Sequence, residues 1–308
     1  MRRTNGRSSS FFVVALAIVV SACSGKSPTA PGPPTALSPP VSTTIGPVLS
    51  GESNAPVSGA PVQVAGQTVM TAGDGKAVVS SAVASGSNID INATGFLPHS
   101  DWYMGQTFVL WPDRPGFDQN FTHWLVYGFS STNPGQSTMQ RIQGDVSIVP
   151  SAEFQTAICL AAFKRAADAL TQANGKHTFS VVTDGNTTQT VMRIHPGSWS
   201  VAGPAICSDA TTGRPYVCGA DISIGVPPLD ATFWIIVAHE LGHAFGLAGH
   251  NPYDMRSIMS ESRHSASGSR VDVEYTPEDK LAMRMMLQRC NGTQFPDNNR
   301  YYRADCTP

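Results

Sequence analysis

Hydrophobic and polar positions change their period along the chain. From Val48 to about Leu110 the apolar residues alternate in short runs, as in Val62-Gln63-Val64 and Ile89-Asp90-Ile91. Alternation with period two predicts half-buried strands. Gly73-Asp74-Gly75, flanked by Val69 and Val78, predicts a hairpin turn. From Trp111 to Ser137 no period holds, which predicts an irregular connector or a pro-segment lying across a site. From Thr138 onward helical and strand periods mix. Val146 to Val149, His177 to Val182, Thr190 to Ile194 and Ala220 to Ile224 predict strands. Ala152 to Asn174 predicts an amphipathic helix with Ile158, Ala161, Ala162, Ala166 and Leu170 on its apolar side and Gly175 beyond its end. A second helix runs from an Asp230 cap to Gly246. A third starts at Thr276, with Pro277 in its first turn and Glu278 and Asp279 favouring its positive end.

The first residues read as an address. Arg2, Arg3 and Arg7 precede an apolar run from Phe11 to Val20. A helix of that length rises only about 15 Å, half a bilayer core, so it predicts a signal sequence and not a membrane span. Val20-Ser21-Ala22-Cys23 resembles the lipobox of bacterial lipoproteins. That resemblance implies removal of residues 1–22, lipidation of Cys23, and a place in the bacterial cell envelope, at the outer membrane or cell surface. An ordinary signal peptide with a cysteine at its cleavage site, and a secreted product, is the other reading. Residues 23–47 are rich in Pro, Ser and Thr, which predicts an extended tether.

Composition narrows the function. Charged residues are 14% of the chain and the formal net charge is −2, so no basic face for nucleic acid is expected. The contacts with other molecules predicted here are a polypeptide substrate and a membrane reached only through the lipid; the chain is expected to be a monomer. Five cysteines follow Cys23, and an exported protein meets oxidants. Short loops favour Cys207 with Cys218 and Cys290 with Cys306, leaving Cys159 buried in a helix.

The chemistry concentrates in His239-Glu240-Leu241-Gly242-His243. Histidines four apart on a helix share one face and aim at one point. Zinc accepts imidazole nitrogen at about 2.0–2.1 Å, and catalytic sites hold three protein ligands and a water. Glu240 can serve as base toward that water, whose pKa the metal lowers toward about 7. Gly246 follows, then His250, then Ser257-Ile258-Met259-Ser260. His99, His123, His177 and His195 have no ligand spacing and read as core or surface residues. Met255 reads as packing.

Thr138 to Cys290 resembles the metzincin clan of zinc metallopeptidases, the matrixin-like bacterial members above all. The resemblance rests on HELGH, Gly246, the following His and the Met-turn. It implies an α+β fold for residues 138–308: a twisted mixed sheet, an active-site helix and a C-terminal helix. It also implies Zn2+ held by His239, His243 and a third His, Glu240 as catalytic base, and Met259 as an apolar floor. The clan's third His belongs at position 249, where this chain has Gly249; His250 is the expected ligand, with Asp254 or His264 as substitutes. Tyr253 is a weaker candidate for stabilising an oxyanion. Val201 to Cys207 would be the edge strand that pairs with substrate. Residues 48–110 are expected to form a small β-sandwich ahead of residues 111–137. Pro56 to Phe96 resembles carboxypeptidase-regulatory or transthyretin-like domains, through Gly59-Ala60-Pro61-Val62-Gln63-Val64, Asp74-Gly75-Lys76 and Ala93-Thr94-Gly95-Phe96. The expected activity is zinc-dependent peptide hydrolysis. The rivals are a non-catalytic cell-surface binding protein that keeps the fold, and a hydrolase of other amides or esters.

Overall fold

A computed structural model describes residues 41–129, 135, 138–187, 190–210, 213–225, 232–260 and 273–300. The fold is α+β. The signal sequence, Cys23 and most of the tether lie outside the described residues, as do Asp230, His264 and Cys306. Among the described residues no helix is long and apolar enough to cross a membrane.

The N-terminal part is β-structure around one apolar cluster. Its strands are β1 (Thr43–Ile45), β2 (Val48–Ser50), β3 (Pro61–Val64), β4 (Gln67–Met70), β5 (Ala77–Val79), β6 (Asn88–Ile91), β7 (His99–Trp102) and β8 (Phe108–Leu110). They form a four-stranded antiparallel sheet in the order β4-β3-β6-β7, with β1 paired to β5 and β2 to β8. Ile45, Val62, Val64, Ile89, Ile91, Phe108 and Leu110 fill the space between. Strand β1 lies in the stretch read as tether, because Ile45 belongs to this core. The Gly73-Asp74-Gly75 turn does not close a hairpin: it carries the chain from β4 into a different sheet. The hairpin is instead β3–β4, turned by Ala65 (φ 49°) and Gly66 (φ 76°), with Val64 opposite Gln67. An alanine is an uncommon residue for positive φ, so the sequence carries no turn signal there.

The segment after β8 is not irregular throughout. It contains α1 (Gln119–Leu125), started by Asp118, whose carboxylate accepts the Phe121 N–H at 2.7 Å. Phe117, Phe121, Leu125, Val126 and Tyr127 are fully buried in the main core.

The remainder is a mixed sheet with helices. β9 (Val146–Pro150), α2 (Ala157–Asn174), β10 (Phe179–Val181), β11 (Thr190–Gly197), β12 (Val201–Ser208), β13 (Pro215–Gly225), α3 (Phe233–Phe245) and α4 (Pro277–Leu287) follow in order. The sheet order is β10-β9-β11-β13-β12, parallel except for β12, which runs antiparallel along the edge. Helix α2 starts later than its sequence suggests. Thr156 caps it, and Ala152–Phe154 form a separate 3-10 turn. Its buried side is Cys159, Phe163, Ala166, Ala167, Leu170 and Ala173, whereas Ile158 faces solvent. The helix turns left-handed at Gly175 (φ 68°). Cys207 and Cys218 are disulfide-bonded between β12 and β13, and Cys159 is a buried free thiol. Cys290 is disulfide-bonded, but its expected pairing with Cys306 lies outside the described residues.

The C-terminal residues return to the N-terminal sheet. Asn298 bridges Ser100 in parallel, and the Asn299 N–H donates to the Ser100 carbonyl at 2.8 Å. A buried polar knot joins the same two parts. Arg289 holds Asp297 through Nε at 2.7 Å and Nη2 at 2.9 Å, and His99 Nδ1 lies 2.8 Å from the same carboxylate.

Candidate metal centre

Helix α3 is apolar almost all round, and from Phe233 to Phe245 only Ile236 and His243 escape full burial. It packs against α2, β12 and β13. Its end is set by Gly246, at φ 133°. A Cβ there would stand 2.2 Å from the Gln140 carbonyl oxygen, so glycine is required by space as well as by dihedral. The chain then runs through Leu247 and Gly249 to His250, and the candidate ligand atoms of His239, His243 and His250 all lie within 4.8 Å of one another.

Backbone carbonyls orient the first two rings. His239 Nδ1 donates to the Ile258 carbonyl at 2.6 Å, and His243 Nδ1 donates to the Leu247 carbonyl at 2.7 Å. A carbonyl oxygen only accepts, so in each neutral ring the proton sits on Nδ1 and the lone pair on Nε2. The two Nε2 atoms face each other at 3.1 Å. Two lone pairs at that distance repel, and a cation between them removes the repulsion. His250 closes the third side, its ring 5.2 Å from His239 and 5.1 Å from His243. Three imidazoles with carbonyl-fixed tautomers fit a borderline-soft divalent ion such as zinc.

Glu240 follows directly on the helix and is 2% exposed. Burial pushes its carboxyl up to about 7, against a smaller opposing effect of the Ala202 backbone N–H, which bonds it. That contact puts the general-base candidate against the edge strand β12.

Below the rings lies the methionine turn. Met259 is fully buried. A Cβ on Gly242 would stand 2.4 Å from its sulfur, so the bare backbone of α3 lets the methionine sit under the helix. Asp279 fastens the turn. Its carboxylate accepts from Ser257 Oγ at 2.6 Å, Asn251 Nδ2 at 2.7 Å and Thr276 N at 2.9 Å. It thereby ties the residue after His250, the methionine turn and the start of α4 to one point. Burial holds its carboxyl above the usual range despite these donors. The Tyr275 hydroxyl donates to the Ala238 carbonyl of α3.

The structure brings together His239, Glu240, His243, Gly246, His250 and Met259. It does not bring in Asp254, whose carboxylate accepts from Arg256. The Tyr253 hydroxyl is 3.0 Å from Asp118 Oδ1 and 2.8 Å from Asn120 Nδ2, which ties it to α1. In the sequence Asp279 is marked only as a charge at a helix start. The Thr276-Pro-Glu-Asp279 capping pattern marked it, but nothing local could reveal its bonds to Ser257 and Asn251. No protein-family model matches the chain, and no curated protein matches it either.

Proposed function

We propose that this protein is a zinc-dependent endopeptidase of the metzincin kind. The observation that carries the reading is the three-histidine cluster, with the nitrogen lone pairs of His239 and His243 turned toward one another. His239, His243 and His250 would hold the ion. When bound, zinc supplies Lewis acidity toward a carbonyl and a water of lowered pKa. Glu240 takes the proton of the attacking water and hands it to the leaving amine nitrogen. Its burial raises its basicity, and a cation beside it favours the charged form it needs for the first of these steps.

The edge strand supports a chain-like substrate. β12 pairs with β13 on one side only, most of its residues are exposed, and Ala202 places it against Glu240. An extended peptide laid along that edge would bring its carbonyl to the base. Pro204 removes one donor from the edge, which discourages indiscriminate pairing. The envelope location, anchored through Cys23, is part of the same proposal and rests on the sequence.

The test is Glu240→Gln, with bound zinc and casein cleavage measured on the same samples. Zinc should remain and cleavage should fall to background. Cleavage at the parent rate would overturn the mechanism, and a parent without zinc would overturn the metal reading.

A further inference from the structure

The loop that carries His250 is gripped by residues well upstream of α3, and the grip has no counterpart in the sequence signals for the site. The Gly249 N–H donates to the Leu125 carbonyl at the end of α1, at 3.0 Å. A Cβ on Gly249 would stand 2.0 Å from the Trp124 carbonyl oxygen and 2.7 Å from Gly128 Cα. Gly128, at φ 67°, is as tight from the other side: a Cβ there would meet the Ala248 carbonyl oxygen at 2.7 Å. Backbone lies on backbone immediately before His250. Three residues after it, the loop meets α1 again. The Tyr253 hydroxyl sits between Asp118 and Asn120, and its ring stacks on Phe121 at 6.4 Å. Asp118 is itself held as the cap of α1.

Resting on the zinc-site reading above, we propose that α1 is a built-in positioning element for the third ligand, fixing His250 through Gly249 and Tyr253. Two rails then hold the loop. On one side Asn251 donates its amide N–H to the Met259 carbonyl and its side chain to Asp279. On the other side stands α1. Gly249 lies where the loop presses on Trp124 and Gly128, a place with no room for a side chain. A second consequence follows for the segment from Trp111 to Phe129. Its apolar side chains are core, and its helix end carries the ligand loop. It is therefore a resident part of the site and not a removable cover: cutting it out would release the metal, not unmask activity.

The experiment compares zinc affinity, by chelator competition on the full chain, for the parent, Tyr253→Phe, Gly249→Ala and His250→Ala. The melting temperature of each metal-free protein is measured beside it. Tyr253 is exposed, so loss of its hydroxyl should leave the metal-free melting temperature within about 2 °C. Zinc binding should nonetheless weaken about tenfold, the usual cost of losing a group that orients a ligand. Gly249→Ala should weaken it at least as much. Unchanged zinc affinity in Tyr253→Phe, beside a strong loss in His250→Ala, would overturn the positioning role alone. So would a fall in the metal-free melting temperature of Tyr253→Phe large enough to account for its loss of zinc affinity. A parent that binds no zinc, or a His250→Ala protein that binds it as the parent does, would overturn the zinc site and this role together.

Discussion

Among the buried polar clusters of the described residues, two are built on opposite plans. In the knot of His99, Asp297 and Arg289, unlike groups meet. Arg289 grips Asp297 with two nitrogens, His99 reaches the same carboxylate at 2.8 Å, and Asp101 lies 3.7 Å from its other nitrogen. In the cluster on α3, like groups meet: His239 and His243 turn the same atom toward each other, and His250 faces both. A buried charge needs a partner, and the knot supplies it from within the chain. The α3 cluster arranges lone pairs around a point that a cation would satisfy. Burial and polarity alone do not tell these two clusters apart. The sign of what faces what does.

The largest effect should come from breaking the knot. Asp297→Ala leaves Arg289 buried with no carboxylate and removes the raising charge beside His99. Loss of one member of such a pair costs about 3–5 kcal/mol. Urea unfolding should show a drop of that size, while the zinc affinity of the folded protein stays at the parent value. A drop below about 1 kcal/mol would mean that the knot is not what joins the C-terminal residues to β7. The corresponding attack on the α3 cluster is steric. Gly242→Ala puts a methyl 2.4 Å from the Met259 sulfur. A methionine can yield, so about 2 kcal/mol is expected, in the range for overpacking. Here zinc affinity should fall too, since Met259 is next to the carbonyl that orients His239. Unchanged zinc binding would show the floor to be packing only.

What could be read in advance divides along the same line. The helix bearing His239, Glu240 and His243 was legible because its histidine spacing is local, and its end at Gly246 because a glycine marks it. The α+β order was legible from strand and helix periods. The small helix α1 was not: at seven residues it is too short for a period to build up, although Asp118 before Phe121 and Leu125 was a cap in plain view. The hairpin at Ala65-Gly66 was hidden because alanine takes a conformation it seldom adopts. The start of α2 was not legible because nothing in Ala152–Phe154 marks the 3-10 turn that separates it from the helix. The contacts of His99 with Asp297 and of Asp279 with Ser257 span long stretches of chain, 198 and 22 residues. No local pattern encodes those pairings, and from sequence His99 is only a core or surface histidine.

The smallest effect is also the sharpest, because pH should move the two clusters in opposite directions. For His99, burial pulls its pKa down, but the charge of Asp297 and the hydrogen bond to it, with the Asp101 carboxylate 3.7 Å from the other nitrogen, outweigh burial and leave it above the ordinary value of 6.5. Arg289 opposes this, and Asp90 lies near enough to feel the His99 charge while pairing with Arg300. A raised histidine stabilises the fold fully below pH 6.5, and the contribution fades as pH climbs through its folded value. Asp297 works at the other end: burial would raise it, but Arg289 and His99 depress it to about 2, so its contribution holds above about pH 4 and is lost toward pH 2. The knot is therefore strongest between about pH 4 and 6.5. His99→Gln should cost about 1.5 kcal/mol at pH 5.5, the low end for a hydrogen bond to a charged group, and the gap should narrow by pH 9. The α3 histidines must shed protons to hold an ion, so acid weakens that cluster over the same interval. Unfolding and zinc content measured together from pH 5 to 9 would separate the two plans. A His99→Gln gap that stays flat or widens with pH would mean that His99 is neutral in the fold, and the knot would then owe its strength to Arg289 and Asp297 alone.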